Sequence, residues 1–156
     1  MRIGIKLMLV VVYLWLAPAI TPGSEVRVKM SDLPPAVQAT VKEQSKGATI
    51  RGFSKETEKG KTTYEVELTK NGRGKDVSMD TDGKVVEVEE EVAIGSIPEA
   101  ARTAIEKGAK GGKILKVEAV SAGGGAAQAY EAQVLKAGKR SEVRVAPDGS
   151  PKPEED

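Results

Sequence analysis

The densest run of chemistry-bearing residues is Asp76-Val77-Ser78-Met79-Asp80-Thr81-Asp82-Gly83-Lys84-Val85-Val86-Glu87-Val88-Glu89. Counted as a calcium-binding loop from Ser78, it puts Asp80, Asp82, Gly83, Val85 and Glu89 at loop positions 3, 5, 6, 8 and 12. Those are the places of oxygen ligands, the turn glycine, an apolar anchor and the closing carboxylate. The first position is Ser where Asp is usual, and Lys84 cancels part of the field. The flanks alternate like strands, whereas the motif needs helices. A hairpin turned on Asp82-Gly83 explains the same residues and is the preferred reading. Asp80, Asp82 and Glu89 therefore stand as weak metal candidates beside it.

A wider set of carboxylates offers binding chemistry. Strict alternation puts Tyr64, Val66, Leu68, Val77, Met79, Val86 and Val88 on one side of a sheet. Glu65, Glu67, Asp76, Asp80, Glu87 and Glu89 then fall on the other, with Glu131, Gln133, Glu142 and Arg144 further along. Glu65, Glu67, Asp76, Glu87 and Glu89 are the partner-binding candidates, forming a docking surface for a cationic protein or a divalent ion. The plainer alternative is a solvated face that keeps a half-exposed sheet soluble. Paired carboxylates such as Glu65 and Glu87 could also do acid–base work on a glycoside. That needs a cleft and aromatic sugar platforms, and neither is indicated.

Absences narrow the choice further. The chain has no His and no Cys, which excludes thiol nucleophiles, His-based triads, ordinary zinc sites, disulfides and lipid attachment at a cysteine. Gly123-Gly124-Gly125 lacks the Lys-Ser/Thr sequel of a phosphate loop and reads as a hairpin loop. No enzyme activity and no cofactor are expected.

The elements that must position these residues are written twice. Leu33-Pro34-Pro35-Ala36-Val37 returns 64 residues on as Ile97-Pro98-Glu99-Ala100-Ala101. Tyr64-Glu65-Val66-Glu67-Leu68 returns after 66 as Tyr130-Glu131-Ala132-Gln133-Val134, and Asp82-Gly83-Lys84 returns as Asp148-Gly149-Ser150. Each copy is short for an independent core, so both are expected to share one sheet and one joint core. Helices are predicted after Leu33-Pro34 and Ile97-Pro98, capped by Asp32 or Leu33 and by Ser96. Strands are predicted over 49–55, 62–69, 75–80 and 84–92, then over 113–121, 127–136 and 139–146, with an extra edge strand near Val26 and Val28. The expected fold is α+β: two tandem α-β-β-β(-β) repeats making one antiparallel sheet of seven or eight strands, helices on one face.

Residues 1–19 read as a signal peptide: Arg2 and Lys6, an apolar run from Leu7 to Leu16, then Ala17-Pro18-Ala19 at the cleavage site. The run is too short for a membrane span. A periplasmic or secreted location follows, with no membrane span after cleavage. Taking away Arg2 and Lys6 leaves 22 basic against 23 acidic residues. That balance gives no reason to expect nucleic acid as a partner. Phe53, Tyr64 and Tyr130 are the remaining aromatics, too few for base-stacking platforms.

Leu33, Pro34, Val37, Tyr64, Val66, Leu68, Asp80, Asp82, Gly83 and Lys84, echoed by Ile97, Pro98, Tyr130, Val134, Asp148 and Gly149, resemble the PepSY-like domains of exported bacterial proteins. The second copy departs from the pattern, with Ala146 in place of the Asp at 80 and Ser150 in place of the Lys at 84. The tandem arrangement is similar to the secreted beta-lactamase inhibitor protein, in which helices back a sheet whose open face grips an enzyme. The resemblance divides the chain into a 20–31 leader, repeat one over 32–95, repeat two over 96–151 and a charged tail over 152–156. It implies a protein partner, with restraint of a peptidase or another exported enzyme the first class to try. Calcium is the weaker alternative.

Overall fold

The computed structural model describes residues 25–153, so the signal-peptide reading of 1–19 and the last tail residues lie outside the described part. Eight strands are β1 (Val26–Val28), β2 (Thr49–Glu58), β3 (Lys61–Lys70), β4 (Arg73–Asp80), β5 (Val85–Glu91), β6 (Lys113–Ala122), β7 (Ala129–Lys136) and β8 (Lys139–Val145). Two helices interrupt them, α1 (Pro35–Gln44) after β1 and α2 (Glu99–Gly108) after β5. The strands lie side by side in chain order as one antiparallel sheet. The architecture is α+β, an open sheet of eight strands with two helices.

Each helix begins one or two residues later than its predicted cap implies. Pro34 and Pro98 themselves occupy the capping position, without a side-chain cap, in place of Asp32, Leu33 or Ser96. A proline forces its predecessor into extended backbone, so Pro35 holds Pro34 out of the helix, and Leu33 and Ile97 stay extended before Pro34 and Pro98. Asp32 instead accepts the Lys29 backbone N–H at 2.9 Å across a 3-10 turn.

Strand alternation sends the apolar residues toward the helices. Val37 and Val41 of α1 bury against Tyr64, Val66, Leu68, Val77, Met79 and Val88. Ala101 and Ile105 of α2 bury against Val117, Ala132 and Val145, with Tyr130 half-buried beside them. Full burial of each valine, leucine, isoleucine or methionine among them contributes roughly 1.5–3 kcal/mol. The apolar side chains thus form two clusters, in contrast to the single joint core expected. The sheet is continuous, but the seam between β5 and β6 carries Ser121 opposite Val88 and Ala119 opposite Glu90 on the helix side. Small and polar residues there leave nothing to knit the clusters together. Because Val88 pairs with Ser121 and Val117 pairs with Ala132, both helices lie on the same face.

Gly83 and Gly149 bring a hairpin turn against each helix. Both have positive φ, and a Cβ on either would stand 2.6 Å from a helix carbonyl, of Ala36 and Ala100 respectively. Thr40 Oγ1 donates to the Gly83 carbonyl at 2.6 Å, fastening the first turn to α1. Bulges at Ile50/Gly52 in β2 and Ile114/Lys116 in β6 bend the sheet further.

Candidate functional site

The face away from the helices has no second layer among the described residues. Register places its side chains in rows across the strands. One row runs Gly52, Glu67, Asp76, Glu89, Val120 and Ala129. The next runs Arg27, Ser54, Glu65, Ser78, Glu87 and Ala122. All five partner-binding candidates therefore share this open face. Asp76 lies directly between Glu67 and Glu89 on neighbouring strands.

The metal candidates are not gathered in the same way. Asp80 Oδ1 accepts the backbone N–H of Asp82 at 3.0 Å and of Lys84 at 2.9 Å, the hydrogen bonds of an Asx turn. Glu89 pairs with Asp76, four residues back along β4 from Asp80, about 13 Å at the usual rise per residue. The loop residues thus serve the hairpin, while Glu89 joins a different set. Asp76, Glu89 and Glu118 each offer a carboxylate oxygen within 4.8 Å of the others, and Glu25, Glu65 and Glu67 do the same.

Glu118 is 2% exposed and was not marked out by the sequence. The bulge at Ile114/Lys116 explains why. Ile114 pairs with Val134 on the helix side, yet Lys116 pairs with Gln133 on the open side, so alternation breaks at Leu115. That extra residue delivers both Lys116 and Glu118 to the acidic face. Lys116 Nζ lies 2.5 Å from Glu118 Oε1 as an ion pair without hydrogen-bond alignment. Arg27 provides the other cation of this region, 2.5 Å from Glu67 Oε1. Gly52 makes room for it, since a Cβ there would strike the guanidinium.

Crowded, half-buried carboxylates hold their protons more tightly. Burial, then the charge of Glu118, raises Glu89 to about 8. Burial, then Asp76, Glu25 and Glu67, raises Glu65 to about 7 against the pull of Arg27. Burial and Glu118 raise Asp76 to about 6, with Lys116 opposing. Desolvation disfavours each anion, and two cations do not offset so many like charges. The same carboxylates hold Lys116 more firmly protonated than an ordinary lysine, although its own burial works the other way.

Beyond β5 the face is balanced internally. Arg144 on β8 forks between Glu131 on β7, at 3.2 Å, and Glu87 on β5, at 3.3 Å. Glu87 and Arg144 edge a groove of about 480 Å³ floored by Ser78, Val120, Ala122 and Ala129. Small floor residues let the Arg144 side chain span β6 and β7.

Fold and site together define a one-sided α+β sheet protein: helices seal one face, and the other is an open, carboxylate-rich trough. No protein-family model matches the sequence, and no curated protein matches it. Solved structures share the fold. A putative periplasmic protein from Bacteroides eggerthii superposes with a TM-score of 0.59 at 20% identity, over 76% of this chain and 85% of that one. A DUF2874 family protein from Bacteroides ovatus gives 0.56 at 20% identity, covering 76% and 84%. A BLIP-like protein from Bacteroides fragilis gives 0.54 at 23% identity, covering 79% and 86%. At these identities the likeness is one of fold. No helix among the described residues is long and apolar enough to cross a membrane.

Proposed function

We propose that the protein is a non-enzymatic, exported binding module that takes a protein partner on its open sheet face. The observation that carries this reading is the imbalance on that face. Glu65, Glu67, Asp76, Glu89 and Glu118 crowd three adjacent rows, and Arg27 and Lys116 are the cations in ion-pair contact with them. An uncovered surface with unneutralised carboxylates suits a partner with basic side chains, which supplies the missing charge on docking. The tandem PepSY-like pattern and the signal-peptide pattern of residues 1–19 support a periplasmic or secreted setting. Restraint of a peptidase or another exported enzyme is the first partner class. The test is capture from the exported protein fraction by the wild-type chain and by a Glu65→Lys, Glu67→Lys, Glu89→Lys variant. Glu87 is left in place because it holds Arg144. Loss of capture in a folded variant supports docking on this face; unchanged capture reduces the acidic surface to solubilising charge.

A second reading, divalent-cation binding, draws on the Asp76, Glu89 and Glu118 cluster, where three oxygens lie within 4.8 Å of one another. Lys116 at Glu118 competes with a cation there.

A further inference from the structure

Glu65 and Glu131 occupy matching places in the two halves, each following the tyrosine of the repeated Tyr-Glu pair. Glu131 on β7 is register-paired with Arg144 on β8. Glu65 on β3 is register-paired with Ser78 on β4. Where the second half supplies its own guanidinium, the first half has a hydroxymethyl group, and the space is not filled from elsewhere. A cavity of about 80 Å³ remains there, lined by Glu25, Ser54, Glu56, Thr63, Tyr64, Glu65 and Ser78. No lysine or arginine is in that lining, whose polar side-chain groups are carboxylates and hydroxyls.

Ser54 is an independent sign that something belongs there. It is 3% exposed, it lies on the open face opposite Glu65, and it lines the cavity. Among the described residues its hydroxyl makes no hydrogen bond. That hydroxyl opens onto the cavity and can accept from a ligand bearing donors.

We propose that this cavity is a socket for the guanidinium of an arginine on the partner protein, held by Glu65 with Ser54 and Ser78. The occupant copies from outside what Arg144 does from within. A planar fork of N–H donors matches a carboxylate flanked by hydroxyls better than the point charge of an ammonium. The assignment rests on the open-face reading above and narrows it to one side chain at one position.

The probe is methylguanidinium, titrated at pH 8 into the wild-type chain and followed by the side-chain carboxyl carbon resonances. Saturable binding should centre on Glu65 and exceed that of methylammonium or calcium. Glu65→Gln should weaken it about tenfold or more, the value of a charge-assisted hydrogen bond. Ser78→Arg should abolish it and raise the melting temperature, because the socket is then filled as in the second half. Equal affinity in the wild type and Glu65→Gln overturns the proposal, as does stronger binding of methylammonium or calcium. A Ser78→Arg chain that loses stability also counts against it. If protein capture survives Glu65→Gln but fails in the triple reversal, the open-face reading stands and the socket falls. If methylguanidinium binds at Glu65 but nothing is captured, the socket stands and the open-face reading falls.

Discussion

Arg144 Nη2 lies 3.3 Å from Glu87 Oε2, although their strands are three apart in the sheet. In a flat sheet three strand spacings amount to about 14 Å of backbone separation. The contact is therefore a measure of curl, made possible by Ala122 and Ala129 beneath the side chain. It also ties the acidic strands of the first half to the last strand of the second. Arg144→Gln should destabilise the fold by about 3 kcal/mol at pH 8, since it removes the guanidinium shared by Glu87 and by Glu131, whose side chain is 9% exposed. Urea unfolding at pH 8 measures this.

Stability should fall as pH rises from about 4 to about 8. Glu65, Asp76 and Glu89 bind protons more tightly in the fold, to about 7, 6 and 8, than in the unfolded chain. The native state thus carries more protons across that window, and the slope of unfolding free energy against pH is negative. Below the unfolded carboxylate range the penalty is absent, and above about pH 8 it is complete. No histidine is present to confuse the profile. Glu89→Gln should flatten it and raise the melting temperature at pH 8. A profile rising from pH 5 to 8 would contradict the account.

Gly83→Ala and Gly149→Ala should each cost about 2 kcal/mol or more. The backbone is left-handed at both, with φ of +77° and +82°, which alone costs an L residue roughly 1–2 kcal/mol. The new methyl also meets a helix carbonyl, so the turn must back away from α1 or α2. Denaturant midpoints at constant slope give the comparison.

Divalent binding at Asp76, Glu89 and Glu118 should appear as a stabilisation that grows with calcium. A site with Kd near roughly 10 μM yields about 2.7 kcal/mol at about 1 mM ion. A melting temperature flat across that range removes the cation reading.

The open face was legible in the sequence wherever alternation is unbroken. Glu65, Glu67, Asp76, Glu87 and Glu89 follow a period of two, and register confirms them on one side. Glu118 and Lys116 escaped because a single bulged residue, Leu115, shifts the phase of β6, and a one-residue slip exchanges faces. Ile114 and Val117, both on the helix side three residues apart, were the available trace of it. The distance between Asp80 and Glu89 was hidden for another reason. Loop counting assumes a compact loop, whereas the hairpin carries Glu89 back along the strand to Asp76. The split of the core followed from seam residues, Ala119 and Ser121, whose neighbours depend on which strands pair.

The most direct measurement of the central claim is carboxyl labelling of the captured complex, read residue by residue. Glu65, Glu67 and Glu89 on the open face should lose reactivity when the partner binds. Glu43, Glu99 and Glu106, exposed on the helices, should label as in the free protein. Protection of the helix carboxylates with Glu65, Glu67 and Glu89 unchanged would show that the partner docks on the other side and would contradict the account.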